Sequence, residues 1–162
     1  MNNIQAATKI QTAFRSHKVR QNLAIQNQDN ILRDNLNNWV NEVPDQREVR
    51  QRVKDKIQIF NGKLVIGGNL DLDNSNISAL PQGLHVGGHL NLNNCTNLTS
   101  LPQGLHVGGS LNLRHCTGLT TLPQGLHVGG NLDLYGCTNL ASLTQDLHVG
   151  GSLHLSGCTS LT

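Results

Sequence analysis

The sequence predicts an α/β repeat: helices over the first 60 residues, followed by a solenoid whose short strands form a parallel sheet. Three observations predict it. GLHVGGHLNLNNCTNLTSLPQ (83–103), GLHVGGSLNLRHCTGLTTLPQ (104–124) and GLHVGGNLDLYGCTNLASLTQ (125–145) align without a gap, and DLHVGGSLHLSGCTSLT (146–162) begins a further copy. Each copy contains an L-x-L alternation whose period of two turns both leucines to one side of a strand. Residues 1–60 contain no such repeat and space their apolar residues at helical intervals.

The first element is a helix over residues 1–24. Ile10 and Phe14 lie one turn apart, with Ala6 and Ala13 beside them, so a helix lines them up as an apolar stripe. Arg15, Lys18 and Arg20 supply a basic rim. Residues 1–22 carry four cations and no acid, a local patch able to steer an acidic partner. AATKIQTAFRSHKVR, from Ala6 to Arg20, resembles the IQ motif, I-Q-x-x-x-R-G-x-x-x-R, the helical segment that binds calmodulin and related EF-hand light chains. Ile10 and Gln11 open the motif, and Arg15 and Arg20 take its two basic positions. Ser16 stands where glycine is usual. The resemblance implies a partner of the EF-hand class, whose Met-rich groove accepts the apolar stripe. Ile10, Phe14, His17 and Leu23 also fall at the 1-5-8-14 spacing of calcium-dependent targets, but His17 is a poor third anchor, so binding is expected without calcium.

Residues 25–60 read as a helical adaptor. Ile25, Ile31, Leu32, Leu36 and Trp39 suggest one amphipathic helix, Pro44 fits a helical first turn, and Val49, Val53, Ile57 and Phe60 suggest a second. A solenoid needs a polar-backed cap, and the second helix is placed to be one.

The third element, residues 61–162, is the repeat array, about five units of 20–21 residues with the last incomplete. Its first copy, KLVIGGNLDLDNSNISALPQ (63–82), is one residue shorter than the rest. A 21-residue unit cannot bury its own leucines, so stacking must supply the core. Each coil is expected to give one strand to the sheet, with the Gly-Gly pairs marking the bend into it and Pro81, Pro102 and Pro123 on the return arm. The underlying V-x-x-x-L-x-L-x-x-C-x-x-L-x-x-L-P-x-x-L resembles the leucine-rich repeat, with cysteine in the slot that takes Asn or Cys.

Comparing the copies with one another locates a candidate surface. Leu, Val, Gly-Gly, Cys and Thr recur almost unchanged, whereas the positions around the L-x-L leucines vary in charge and size. Asn91, Asn93, Asn112, Arg114, Asp133, Tyr135 and His154 are the candidate contacts, and Tyr135 beside Arg114 is the most anchor-like pair. The resemblance to leucine-rich repeats implies that this is the concave face and that it takes a second protein.

Composition narrows the function classes. Residues 1–60 hold ten cations against six acids, net +4, and residues 61–162 hold two against four, net −2, which gives bulk nucleic-acid binding little support. No leader-like or membrane-spanning apolar run is visible, and a cytoplasmic location is expected. Cys95, Cys116, Cys137 and Cys158 recur every 21 residues, as buried free thiols in one repeat position would, rather than as a disulfide framework. His85, His106, His127 and His148 form a second ladder, turned outward by the alternation. Neither ladder converges on a point, so no metal or cofactor is expected. No nucleophile with a base and no carboxylate pair stands out, and a non-enzymatic binding protein is expected. The LPxGL-VGG style also resembles repeats of bacteria that live inside eukaryotic hosts, and joined to an IQ motif it implies a translocated effector acting in the host cytosol. The alternatives are the regulatory front of a leucine-rich repeat ubiquitin ligase and a purely structural repeat protein.

Overall fold

The computed structural model describes residues 3–162, except for the side chains of residues 3–10 and of Phe14. Helix α1 runs unbroken from Asn3 to Asn41. The expected boundary at residue 24 therefore falls inside one helix. The reason is local: residues 3–43 contain neither glycine nor proline, so nothing interrupts the backbone ladder. The chain then makes a single 3-10 turn at Pro44–Gln46 and enters helix α2, Arg47–Lys56.

The expected second helix ends earlier than its apolar spacing suggested. Ile57 is the extended residue that closes α2, and Gln58–Phe60 form strand β1, antiparallel to β2, Lys63–Ile66. Phe60 pairs with Lys63 across Asn61-Gly62, whose φ values of 49° and 70° are those of a two-residue hairpin turn. Turn chemistry here overrides the i, i+4 pattern of Val49, Val53, Ile57 and Phe60.

The array is a β-solenoid with two parallel sheets, which corrects the expectation of one strand per coil. One sheet continues from β2 through β4 (Leu84–Val86), β6 (His106–Val107), β8 (His127–Val128) and β10 (His148–Val149). The other comprises β3 (Leu70–Asp71), β5 (Leu90–Asn91), β7 (Leu111–Asn112), β9 (Leu132–Asp133) and β11 (Leu153–His154). The Gly-Gly pairs join the two strands of each coil, and there the coils approach closely. A Cβ at Gly87 would lie 2.6 Å from the carbonyl oxygen of Gly67 in the coil before, so only glycine fits. On the return arm Ser100, Thr121 and Ser142 form further parallel bridges.

Residues with like positions stack in register: Leu90 on Leu111 on Leu132, and Val86 on Val107 on Val128. Leu92, Leu113 and Leu134 are wholly buried beneath them, together with Cys95, Cys116 and Cys137. Each thiol donates to a carbonyl of the previous coil, Cys116 Sγ to Leu92 O at 3.1 Å and Cys137 Sγ to Leu113 O at 3.0 Å. Burial first, and then the neighbouring thiols, push Cys116 up to about 12, and burial likewise raises Cys137 to about 12. Thiolate is the reactive form, so neither should label in the native state at pH 8. Half-buried Cys158 should react first, and fast native labelling of Cys116 or Cys137 would contradict the packing.

At the front, α1 and α2 cover the first coil through Leu36, Trp39, Val40, Val49 and Val53. Arg50 is buried there, with its guanidinium 5.0 Å from the Trp39 ring centroid. It donates to Trp39 O, to Glu42 Oε2 at 3.0 Å and to Gln46 Oε1 at 3.3 Å. Gln46 Oε1 also accepts from the Ser78 backbone N–H at 3.0 Å, so one polar network ties both helices to the array. A charge is tolerated in this cap because nearly every donor on it finds an acceptor.

Candidate partner-binding surfaces

Only the last third of α1 is anchored. Every described side chain from residue 11 to residue 28 is exposed, and burial begins in earnest at Leu36. Gln11, Ala13, Arg15, Lys18 and Arg20 are thus accessible on a helix that stands clear of the array, whereas the side chains of Ala6, Ile10 and Phe14 lie outside the described residues. Ser16 Oγ donates to Thr12 O at 2.9 Å and to Ala13 O at 3.0 Å, so its hydroxyl is satisfied within the helix and does not compete for a partner. Val19 and Leu23 are each more than half exposed, one turn apart.

On the solenoid, the variable positions line the outer side of the sheet formed by β3, β5, β7, β9 and β11. Arg114 and Tyr135 are in contact: the guanidinium lies 4.6 Å from the ring centroid, and Arg114 Nη1 donates to Asp133 Oδ2 at 3.2 Å. His115 meets the same ring edge-on at 5.2 Å. The result is a pre-set aromatic and cationic cluster with Tyr135 40% exposed.

Residues 4–23 match the IQ calmodulin-binding motif. No curated protein and no solved structure matches the chain. The described side chains of the IQ segment are all exposed, and the segment ends five residues before Gln28, whose side chain lies against the β1–β2 turn.

The other candidate contacts divide into two kinds. Asn91 Oδ1, Asn112 Oδ1 and Asp133 Oδ1 each accept the backbone N–H two residues on, from Asn93, Arg114 and Tyr135 at 3.2, 3.1 and 3.0 Å. These are Asx turns that close each strand. Asn91 Nδ2 donates to Asp71 and Asn93 Nδ2 to Asp73, so both amides also link coils. His154 is exposed at the last strand. The recurrence of Asp or Asn at 71, 91, 112 and 133 was the available signal for this structural task.

A second ladder of acceptors was not foreseen. Asn69 Oδ1 accepts the His89 N–H at 2.8 Å, His89 Nδ1 that of Ser110 at 2.9 Å, Ser110 Oγ that of Asn131 at 3.0 Å, and Asn131 Oδ1 that of Ser152 at 2.8 Å. The residue type varies, but an acceptor is always present. Five positions further along each coil, Asn74, Asn94 and His115 adopt left-handed φ of 56–57°, and Gly136 and Gly157 take over in the later coils.

The histidine ladder stacks, with ring centroids 5.5, 4.5 and 4.5 Å apart from His85 to His148. Burial, then the neighbouring His127 and His85, and Lys63 last, hold His106 below its ordinary 6.5. The native state then binds fewer protons than the unfolded chain, so stability is full above pH 6.5 and falls as pH drops through the lowered native value. Melting temperature should decline as pH falls below about 6.5, and His106→Gln should flatten that decline. An unchanged slope in the variant would remove His106 as its cause. Among the described residues no three His, Cys, Asp or Glu side chains gather as a metal ion would require, and no helix is long and apolar enough to cross a membrane.

Proposed function

We propose that this chain is a non-enzymatic recruiter: it holds calmodulin or a related EF-hand protein on residues 4–23 and presents a leucine-rich-repeat-like solenoid to a second protein. The observation that carries the first half is the match of the IQ motif to the stretch of α1 whose described side chains are solvent-exposed. A helix laid in a hydrophobic groove presents anchors at i and i+4, which Ile10 and Phe14 supply, while Arg15, Lys18 and Arg20 face an acidic rim. EF-hand proteins are acidic because their ion loops are built from carboxylates, so the uncompensated basic patch of residues 1–22 is complementary to them. Binding without calcium fits the weak third anchor at His17.

The second half is supported by the Arg114–Tyr135 cluster, where an aromatic side chain is held by a cation and a neighbouring ring before any partner arrives. A host-cytosol effector role is the setting in which a prokaryotic-style repeat array and a calmodulin-binding helix serve one task. Calorimetry of the full chain with purified calmodulin, in calcium and in chelator, tests the reading. Saturable one-to-one binding in both buffers is expected, and absence of heat and of co-elution in both would reject it.

A further inference from the structure

We infer that the solenoid cap is a second docking surface for the protein held on the IQ segment, centred on Phe60 at the β1–β2 hairpin and Ile25 on α1. The inference rests on the reading of residues 4–23 as an EF-hand binding helix.

The argument is one of reach. Leu23, the last residue of the match, precedes Gln28 by five residues, about 7.5 Å of helix at ~1.5 Å per residue. Gln28, though exposed, lies against the cap: a Cβ on Gly62 would fall 2.8 Å from its side-chain amide carbon. A small globular domain is about 30 Å across, so a lobe gripping the second half of the segment overhangs Leu23 by more than the distance to the hairpin. It must either meet the cap or be sterically pushed from it.

The cap is apolar where the overhang falls. Phe60 is 66% exposed and Ile25 is 44% exposed. Ile25, Gln28 and Leu32 occupy i, i+3 and i+7 of one helix face, and Leu32 packs on the core, so Ile25 continues the packed stripe beyond the end of the array. Phe60 stands in a strand beside the turn that Gln28 touches. Lys63, its cross-strand partner, is exposed and adds a cation toward an acidic visitor. Ile25, one turn before Gln28 and two residues past the IQ match, and Phe60, two residues before Gly62, both adjoin the Gln28–Gly62 contact, so this apolar ledge begins where the IQ segment ends. A Met-rich EF-hand lobe is the occupant this combination fits, because thioethers adapt to an irregular ledge of one aromatic and one aliphatic side chain.

Docking of this kind fixes the orientation of the bound protein relative to the repeats. An isolated helix could not do so.

The test uses the full chain and calmodulin, with Phe60→Thr and Ile25→Gln singly and together. Neither residue is buried, so melting temperature should stay close to the wild-type value. The double variant should dissociate about tenfold faster, with a smaller change in association. In the wild type, hydrogen exchange at residues 58–63 should slow when calmodulin is added. Should a variant melt lower, the exchange result on unmodified protein decides. Wild-type dissociation from the double variant together with unchanged exchange at the hairpin would overturn the inference, while loss of binding by Ile10→Ala, Phe14→Ala would leave the IQ reading standing. If calmodulin fails to bind the unmodified chain, the IQ reading and this inference fall together.

Discussion

Leu113→Ala is expected to lower the unfolding free energy by about 2–5 kcal/mol, the range for truncating a leucine that has nowhere to relax. Leu113 is wholly buried, its N–H donates to Asp133 O at 2.8 Å, and its carbonyl accepts the Cys137 thiol, so the backbone on either side of it is held by the following coil. Collapse of the cavity would require two coils to slide against a ladder of hydrogen bonds. Stability in a stacked array is approximately a sum of nearest-neighbour interfaces, so the loss should broaden the transition as well as shift it. Leu153→Ala is the internal control. Leu153 is 38% exposed in the last described coil, and its truncation should cost distinctly less. Urea and thermal melts that fail to separate the two variants would contradict the register of the solenoid.

Loss of the two apolar anchors of the IQ segment should have the largest effect on binding. Ile10→Ala, Phe14→Ala should weaken calmodulin by ~2 kcal/mol or more, whereas Lys18→Ala should cost less and act mainly through the association rate. The basic contribution should shrink as salt rises past about 0.15 M, where the Debye length is ~8 Å, while the apolar contribution persists. Calorimetry and stopped-flow mixing at two salt concentrations would read both. Retention of full affinity by the double variant would remove the IQ reading and leave α1 as a cap.

Much of the array was legible because its evidence is repeated. Leu90, Leu111 and Leu132 carry the same local pattern, and each copy corroborates the next. The contact between Arg114 and Tyr135 also followed, since residues 21 apart in such an array are neighbours in space. The second sheet was not legible: strands of two or three residues, such as His106–Val107, are too short to show a period, and their identity depends on the coil beside them. The β1–β2 hairpin was hidden for a different reason. Val49, Val53, Ile57 and Phe60 satisfy a helical spacing, and only the Asn61-Gly62 pair says that the chain must reverse before that spacing is complete. At the surface, variation between copies was read as recognition, yet Asn91 and Asn112 vary little in task. Sequence comparison sees side-chain identity, and here the conserved quantity is an acceptor two residues ahead of an N–H.

The ladder of acceptors at Asn69, His89, Ser110 and Asn131 makes every junction between these coils chemically equivalent, since each coil offers an oxygen or nitrogen to the next whatever its residue type. A coil can therefore be gained by in-frame duplication or lost by in-frame deletion without stranding a donor, and each event lengthens or shortens the array by one step of about 4.8 Å. The array behaves as a ruler with fixed graduations. The spacing between the α1 end and the Tyr135 cluster is set by a whole number of coils, a quantity that evolution can change without altering either end.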